Sequence, residues 1–335
     1  KINKIKTKET IIKVGIARTF TLEGQTDYIN LALNTLPFNF KINLGELNNI
    51  EQEINNKDSK LLINKPDIII VLWRAEELVP AINKDLKLTK QKLNNFIVDT
   101  KKRIKKIIKN YIKTFNAPLI LSNLPLSHLG IKYNNSYYGL YEFIETINSF
   151  IKELAITHNN ISLFDFCGIS NEVGKDFLDI KMDFYAKQAI SMQHINTFSM
   201  SLVRTIRPLL LPSAKAVAID LDNVLWGGVL GEDGLENLKT SHDFPGNIYR
   251  EIQKKLISLK KDGFLIFLLS KNNLKDVKDA FSVLKNMPIT LRDFDDICIN
   301  WKEKHINLIK ISKKFNIGLS SIVFIDDQKF EQDQM

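Results

Sequence analysis

Lys215–Leu235 reads KAVAIDLDNVLWGGVLGEDGL, and this stretch decides how the rest of the chain is read. It opens with an apolar run, Ala216 to Asp220, of the kind that forms a strand buried on both faces. The run ends in two carboxylates, Asp220 and Asp222, followed by a glycine-rich turn. Side chains alternate along a strand, so both carboxylates can project to one side where the strand opens at its carboxyl end. In open α/β sheets that end is where ligands bind.

Working outward, the chain after this stretch alternates helix and strand. Asn247 to Asp262 has a helical pattern stopped by Gly263, and Phe264 to Leu269 (FLIFLL) is a strand followed at once by Ser270. Leu274 to Lys285 is helical, Ile297 to Ile299 a short strand, and Lys302 to Phe315 a helix ending near Gly318. Ser321 to Ile325 is the last strand, and Asp326 and Asp327 follow it. Singly, each acidic residue reads as a turn starter. As a set, Asp220, Asp222, Asp326 and Asp327 at one sheet edge would repel one another unless a hard divalent cation lay among them, and oxygen ligands suit Mg²⁺. A lysine near Lys304 and the Ser270 hydroxyl complete what a phosphoryl group needs.

The preceding part also alternates. Strands are expected at Ile11 to Ala17, Pro66 to Trp73, Ala117 to Ser122 and Ile161 to Phe166. Helical patterns run from Ala81 to Phe115, broken at Leu88–Thr89, and from Tyr138 to His158. Asp176 to Leu211 reads as helical and closes the first domain, with Pro208 and the Leu-Pro-Ser at 211–213 as punctuation. This predicts two α/β domains with parallel sheets, 1–212 and 213–335.

Composition agrees with two cores: 335 residues, 44% hydrophobic and 25% charged. No window approaches the roughly 18 apolar residues of a membrane span, and the opening KINKIKTKETIIK has no apolar signal core, so a cytoplasmic protein away from membranes is expected. Cys167 and Cys298 form neither a disulfide framework nor a metal-ligand spacing and read as free thiols. The net charge of +9 is mostly an excess of lysine among abundant isoleucine and asparagine. Its densest run, KKRIKKIIK at Lys101–Lys109, carries Ile104, Ile107 and Ile108 at helical spacing and reads as a solvated helix face; no nucleic-acid module is recognisable. The chain begins without methionine and stops at Met335 soon after the last acidic pair, which points to a fragment with an incomplete second domain.

DLDNVLWGGVLGEDG, LLSKNN, NWKEK and VFIDD, in this order, resemble the FkbH-like branch of the haloacid dehalogenase superfamily, subfamily IIIC, from about residue 205 onward. The part before it, with PDIIIVLWRAEELVP as its nearest segment, is similar to the SGNH-like α/β domain of longer members. The resemblance implies an SGNH-like α/β sandwich followed by a Rossmannoid parallel sheet flanked by helices. It implies that Asp220 is the nucleophile that becomes an aspartyl phosphate and that Asp222 is the general acid, with its backbone carbonyl on Mg²⁺. Ser270 would bond the transferring phosphoryl group, Lys304 would offset its charge, and Asp326 and Asp327 would hold Mg²⁺. Members of the branch load the glyceryl unit of 1,3-bisphosphoglycerate onto an acyl carrier protein and release phosphate, for polyketide or related assembly. A phosphatase of a small phosphorylated metabolite and an inactive docking module are the other readings.

Three positions depart from the family pattern: Val224 replaces a threonine, Leu269 a frequent cysteine, and Gln328–Lys329 an Asn-Pro pair. In the SGNH-like part, Ala17–Thr21 lacks the nucleophilic serine, and His194 and Asp183 are the nearest acid-histidine pair. That domain is therefore expected to be a noncatalytic partner and a carrier-docking surface.

Overall fold

A computed structural model describes residues 10–82, 89–126, 138–284 and 286–335. Residues 1–9, 83–88 and Lys285, on which parts of the expectations for the opening segment and two helices rest, lie outside the described residues. The chain divides into two compact units, Lys1–Leu211 and Pro212–Met335, and both are α/β with parallel sheets.

The first unit holds five strands: β1 (Ile11–Arg18), β2 (Asn39–Leu44), β3 (Ile68–Leu72), β4 (Leu119–Ser122) and β5 (Ile161–Phe164). Their order is β2-β1-β3-β4-β5 and every pairing is parallel. Alternation along β3 sends Ile69 and Val71 to one apolar cluster and Ile68, Ile70 and Leu72 to the other, so the sheet separates two cores. The helix Lys90–Thr114 buries Leu93, Ile97, Ile104, Ile107, Ile108 and Tyr111 along one stripe and exposes Lys102, Lys105, Lys106 and Lys109.

One strand is added here and two expectations are corrected. The segment NFKINL forms the edge strand β2, whose pairing with β1 from Ile11↔Asn39 to Ile16↔Leu44 overrides its polar composition. The strand expected to run to Phe166 stops at Phe164, because the Asp165 side chain caps a new helix, Phe166–Val173, by accepting from Gly168 N. Asp176–Leu211 is not one helix. Ile180–Ala186 ends at Lys187, whose φ of 54° is left-handed, an antiparallel bridge joins Leu178 to Ile190, and a second helix, Ile195–Leu210, follows a short 3₁₀ turn.

Beyond β3, the Arg74 guanidinium is fully buried; it donates to Asp183 at 2.9 and 3.0 Å and to Glu77. Glu77 also accepts from the Thr19 hydroxyl at 3.3 Å. Burial works against the Arg74 charge, but these carboxylates outweigh it and its pKa is raised. His194 lies against the Phe177 ring, centroids 6.5 Å apart.

The second unit holds β6 (Ala216–Ile219), β7 (Leu265–Ser270), β8 (Asp296–Ile299) and β9 (Ile322–Ile325) in the order β8-β7-β6-β9, all parallel. Val217 and Ile219 join Ile266 and Leu268 in one core cluster; Ala216 and Ala218 join Phe267, Leu269, Leu308 and Ile311 in the other. Leu269 is wholly buried, worth about 2 kcal/mol for a side chain of this size.

Candidate functional site

The register of the second sheet brings the site together. Ile219 pairs with Ile325, so Asp220 and Asp326 stand side by side one step past the paired residues, and the Asp220 amide donates to Ile325 O at 3.0 Å. Neighbouring strands lie about 4.8 Å apart, which places the two carboxylates within reach of a common partner. That partner is Lys304, the first residue of helix Lys304–Phe315. Its Nζ lies 3.0 Å from Asp220 Oδ2 and 2.6 Å from Asp326 Oδ2. All three residues are buried, at 3 to 5% exposure.

The second oxygen of Asp220, Oδ1, is buried and has no hydrogen-bond partner among the described residues. Asp220, Asp326 and the exposed Asp327 each offer an oxygen within 4.8 Å of the others. A buried carboxylate oxygen left open inside a three-carboxylate cluster is a donor set that fits a hard divalent cation such as Mg²⁺. Burial raises the Asp220 pKa to about 6 in spite of the opposing pull of Lys304. Lys304 is pushed down by burial, but Asp220 and Asp326 overcome this and its pKa is raised, so the ammonium stays charged.

The Asp222 carboxylate is not among the three. Its Oδ1 accepts from Trp226 Nε1 at 2.9 Å and from Leu230 N at 3.1 Å, and its Oδ2 from Asn272 Nδ2 at 2.8 Å. The turn that follows it is closed by glycines. A Cβ on Gly227 would meet the Tyr249 ring at 2.6 Å, and Gly228, at φ 101°, donates to Asn223 Oδ1 at 2.9 Å. Val224 is buried with Leu225, Trp226 and Leu230 in the apolar core, where it packs without needing a hydroxyl.

Ser270 ends β7, 2% exposed, and its Oγ accepts from Asn272 Nδ2 at 3.1 Å. Lys271 pairs with Glu331, which is buried, and the Gln332 side chain donates to Asp326 O, so helix Lys329–Gln334 closes against the acidic pair. Asp326 Oδ1 accepts from Gln328 N at 2.9 Å. Hydrogen bonds and ion pairs thus group Asp220 with Lys304 and Asp326, and Asp222 with Ser270 through Asn272. Sequence reasoning missed Asn272, Trp226 and Glu331. Trp226 and Asn272 lie inside the quoted blocks DLDNVLWGGVLGEDG and LLSKNN, which were the signal on offer for them.

A family model described as FkbH, N-terminal domain matches residues 23–207. Among solved structures, the chain is similar to the N-terminal part of the protein BF1531 from Bacteroides fragilis, a crystal structure that contains a phosphatase domain and is complexed with Mg. The match has 23% identity, a TM-score of 0.79, and covers 97% of this chain and 86% of that one. A variant of Axe2, an acetyl-xylooligosaccharide esterase from Geobacillus, matches at 14% identity and TM-score 0.40, covering 60% of this chain and 95% of that one. A GDSL-like lipase from Bacteroides thetaiotaomicron matches at 12% identity and TM-score 0.32, covering 59% of this chain and 86% of that one. No curated protein matches. Among the described residues, no helix is long and apolar enough to cross a membrane.

Proposed function

The chain belongs to the family of the FkbH N-terminal domain, and from that premise we propose that its second unit is a Mg²⁺-dependent phosphoryl-transfer site of the haloacid dehalogenase kind. The observation that carries the reading is Lys304 clamped between Asp220 and Asp326 beside the open Oδ1 of Asp220. Asp220, Asp326 and Asp327 would hold Mg²⁺, whose charge would draw the phosphoryl oxygens into the site. The presence of Mg in the BF1531 structure supports the same assignment.

In this reading the Asp220 carboxylate attacks phosphorus. Lys304 holds Oδ2, fixing the carboxylate plane and offsetting charge as it builds on the transferring group. The Ser270 hydroxyl donates a hydrogen bond to a phosphoryl oxygen. Asp222 protonates the leaving oxygen and later draws a proton from the water that attacks the aspartyl phosphate.

The wider reaction that the family implies is glyceryl transfer from 1,3-bisphosphoglycerate to the thiol of an acyl carrier protein, with phosphate removed at this site. The lysines exposed on helix Lys90–Thr114 give an acidic carrier a surface to meet. A plain phosphatase of a small phosphorylated metabolite is the second reading, favoured by the buried leucine at 269. Incubation with 1,3-bisphosphoglycerate, Mg²⁺ and a carrier protein separates them by intact mass. Glyceryl mass on the carrier thiol supports the transfer, phosphate release alone supports the phosphatase, and turnover unchanged in Asp220→Asn refutes both.

A further inference from the structure

We propose that Asn272 is the residue that positions Asp222 and Ser270 as one unit, a role that rests on the phosphoryl-transfer reading above. Asn272 is 6% exposed, and a single nitrogen, Nδ2, directs its two hydrogens to two groups. One goes to Asp222 Oδ2 at 2.8 Å, the other to Ser270 Oγ at 3.1 Å. The orientation of the amide is dictated by chemistry, because the reverse would set a carbonyl oxygen against the Asp222 carboxylate.

Two consequences follow from this geometry. Ser270 accepts from Asn272, so its own O–H proton is aimed elsewhere and is available to a phosphoryl oxygen. Asp222 is held on both oxygens, by Trp226 and the Leu230 amide on one and by Asn272 on the other, so its rotamer is fixed before substrate arrives. The bond to Trp226 joins residues of one loop; Asn272 is 50 positions away and ties that loop to the end of β7. A hydroxyl serving the transferring group and a carboxylate serving the leaving group are thereby kept at a constant separation. Asn272 touches neither substrate nor reacting atoms and acts through its two neighbours.

The test compares wild type with Asn272→Ala on two Mg²⁺-dependent substrates that differ in leaving group. An alkyl phosphate needs its leaving oxygen protonated; p-nitrophenyl phosphate, whose phenolate departs unaided, does not. Loss of positioning lowers kcat/KM on both substrates through Ser270, and on the alkyl phosphate by about a further 10-fold or more through Asp222, part of what a general acid contributes. Equal losses on both substrates, as a loosened fold produces, overturn the proposal, and so does no loss on either. A second readout needs no turnover. In ¹H–¹⁵N spectra the indole N–H of Trp226 loses protection from solvent exchange in Asn272→Ala while that of Trp73 keeps it. An unchanged Trp226 signal also overturns the role. Should wild type hydrolyse neither substrate, the phosphoryl reading fails and the Trp226 signal alone decides whether Asn272 holds Asp222.

Discussion

Replacing the proposed nucleophile should make the metal-free protein more stable. Asp220 is 4% exposed, and burial lifts its pKa from 3.8 to about 6 even with Lys304 at 3.0 Å. A raised folded-state pKa means that the folded protein holds this proton more tightly than the unfolded chain. The associated stability is full below about pH 4 and is lost as pH rises through about 6. Two pKa units at 1.36 kcal/mol each give a penalty of about 3 kcal/mol at pH 8. Asp220→Asn removes the charge and leaves Lys304 paired with Asp326, so it recovers up to that amount, or about 5–10 °C in melting temperature. Calorimetry in EDTA at pH 8 should show Asp220→Asn melting above wild type, and the gap should shrink to about a third by pH 4.5 and close below about pH 3.5, where Asp220 is protonated in the unfolded chain as well. A variant that melts at or below wild type at pH 8, or a gap as wide at pH 3.5 as at pH 8, would refute the assignment of Asp220 as a carboxylate held charged against its surroundings.

Magnesium should act in the opposite direction. At a concentration about 100 times its dissociation constant it raises wild-type stability by about 2.7 kcal/mol, and Asp327→Asn, read by the same melting curves, loses most of that gain without a change in EDTA. Ser270→Ala should lower kcat on a phosphate ester by about 100-fold, the size typical of one lost donor to a developing charge, with unchanged melting behaviour separating chemistry from folding. In the first unit, Arg74→Met takes from Glu77 and Asp183 the cation they share and should cost about 3–5 kcal/mol in denaturant unfolding. A cost under about 1 kcal/mol would show that the buried network relaxes.

Much of the second unit was legible because its strands are short apolar runs with polar residues immediately after them. β6, β7 and β9 each deliver their acidic or hydroxyl group at the carboxyl end, and parallel pairing turns that sequence pattern into proximity. Lys304 was legible through the resemblance carried by NWKEK, although periodicity alone started its helix at Lys302. What escaped were contacts whose partners sit far apart in the chain or carry no apolar rhythm. Asn272 reaches Asp222 across 50 positions, and Arg74 reaches Asp183 across 109. β2 hid because an edge strand with lysine and asparagine on it resembles a loop until its neighbour is known. The helix at Phe166 hid behind an apolar run that Asp165 cuts in two by capping, an effect of one side-chain oxygen.

Leu269 sits one residue before Ser270, yet the alternation of β7 turns it to the opposite side, among Phe267, Leu308 and Ile311. The two neighbours in sequence therefore inhabit different environments, one open to chemistry and one sealed in hydrocarbon. A covalent relay through position 269 would require the strand to part from the helix beneath it. In this chain that spot is masonry, part of the packed wall that β7 shares with the helix carrying Lys304.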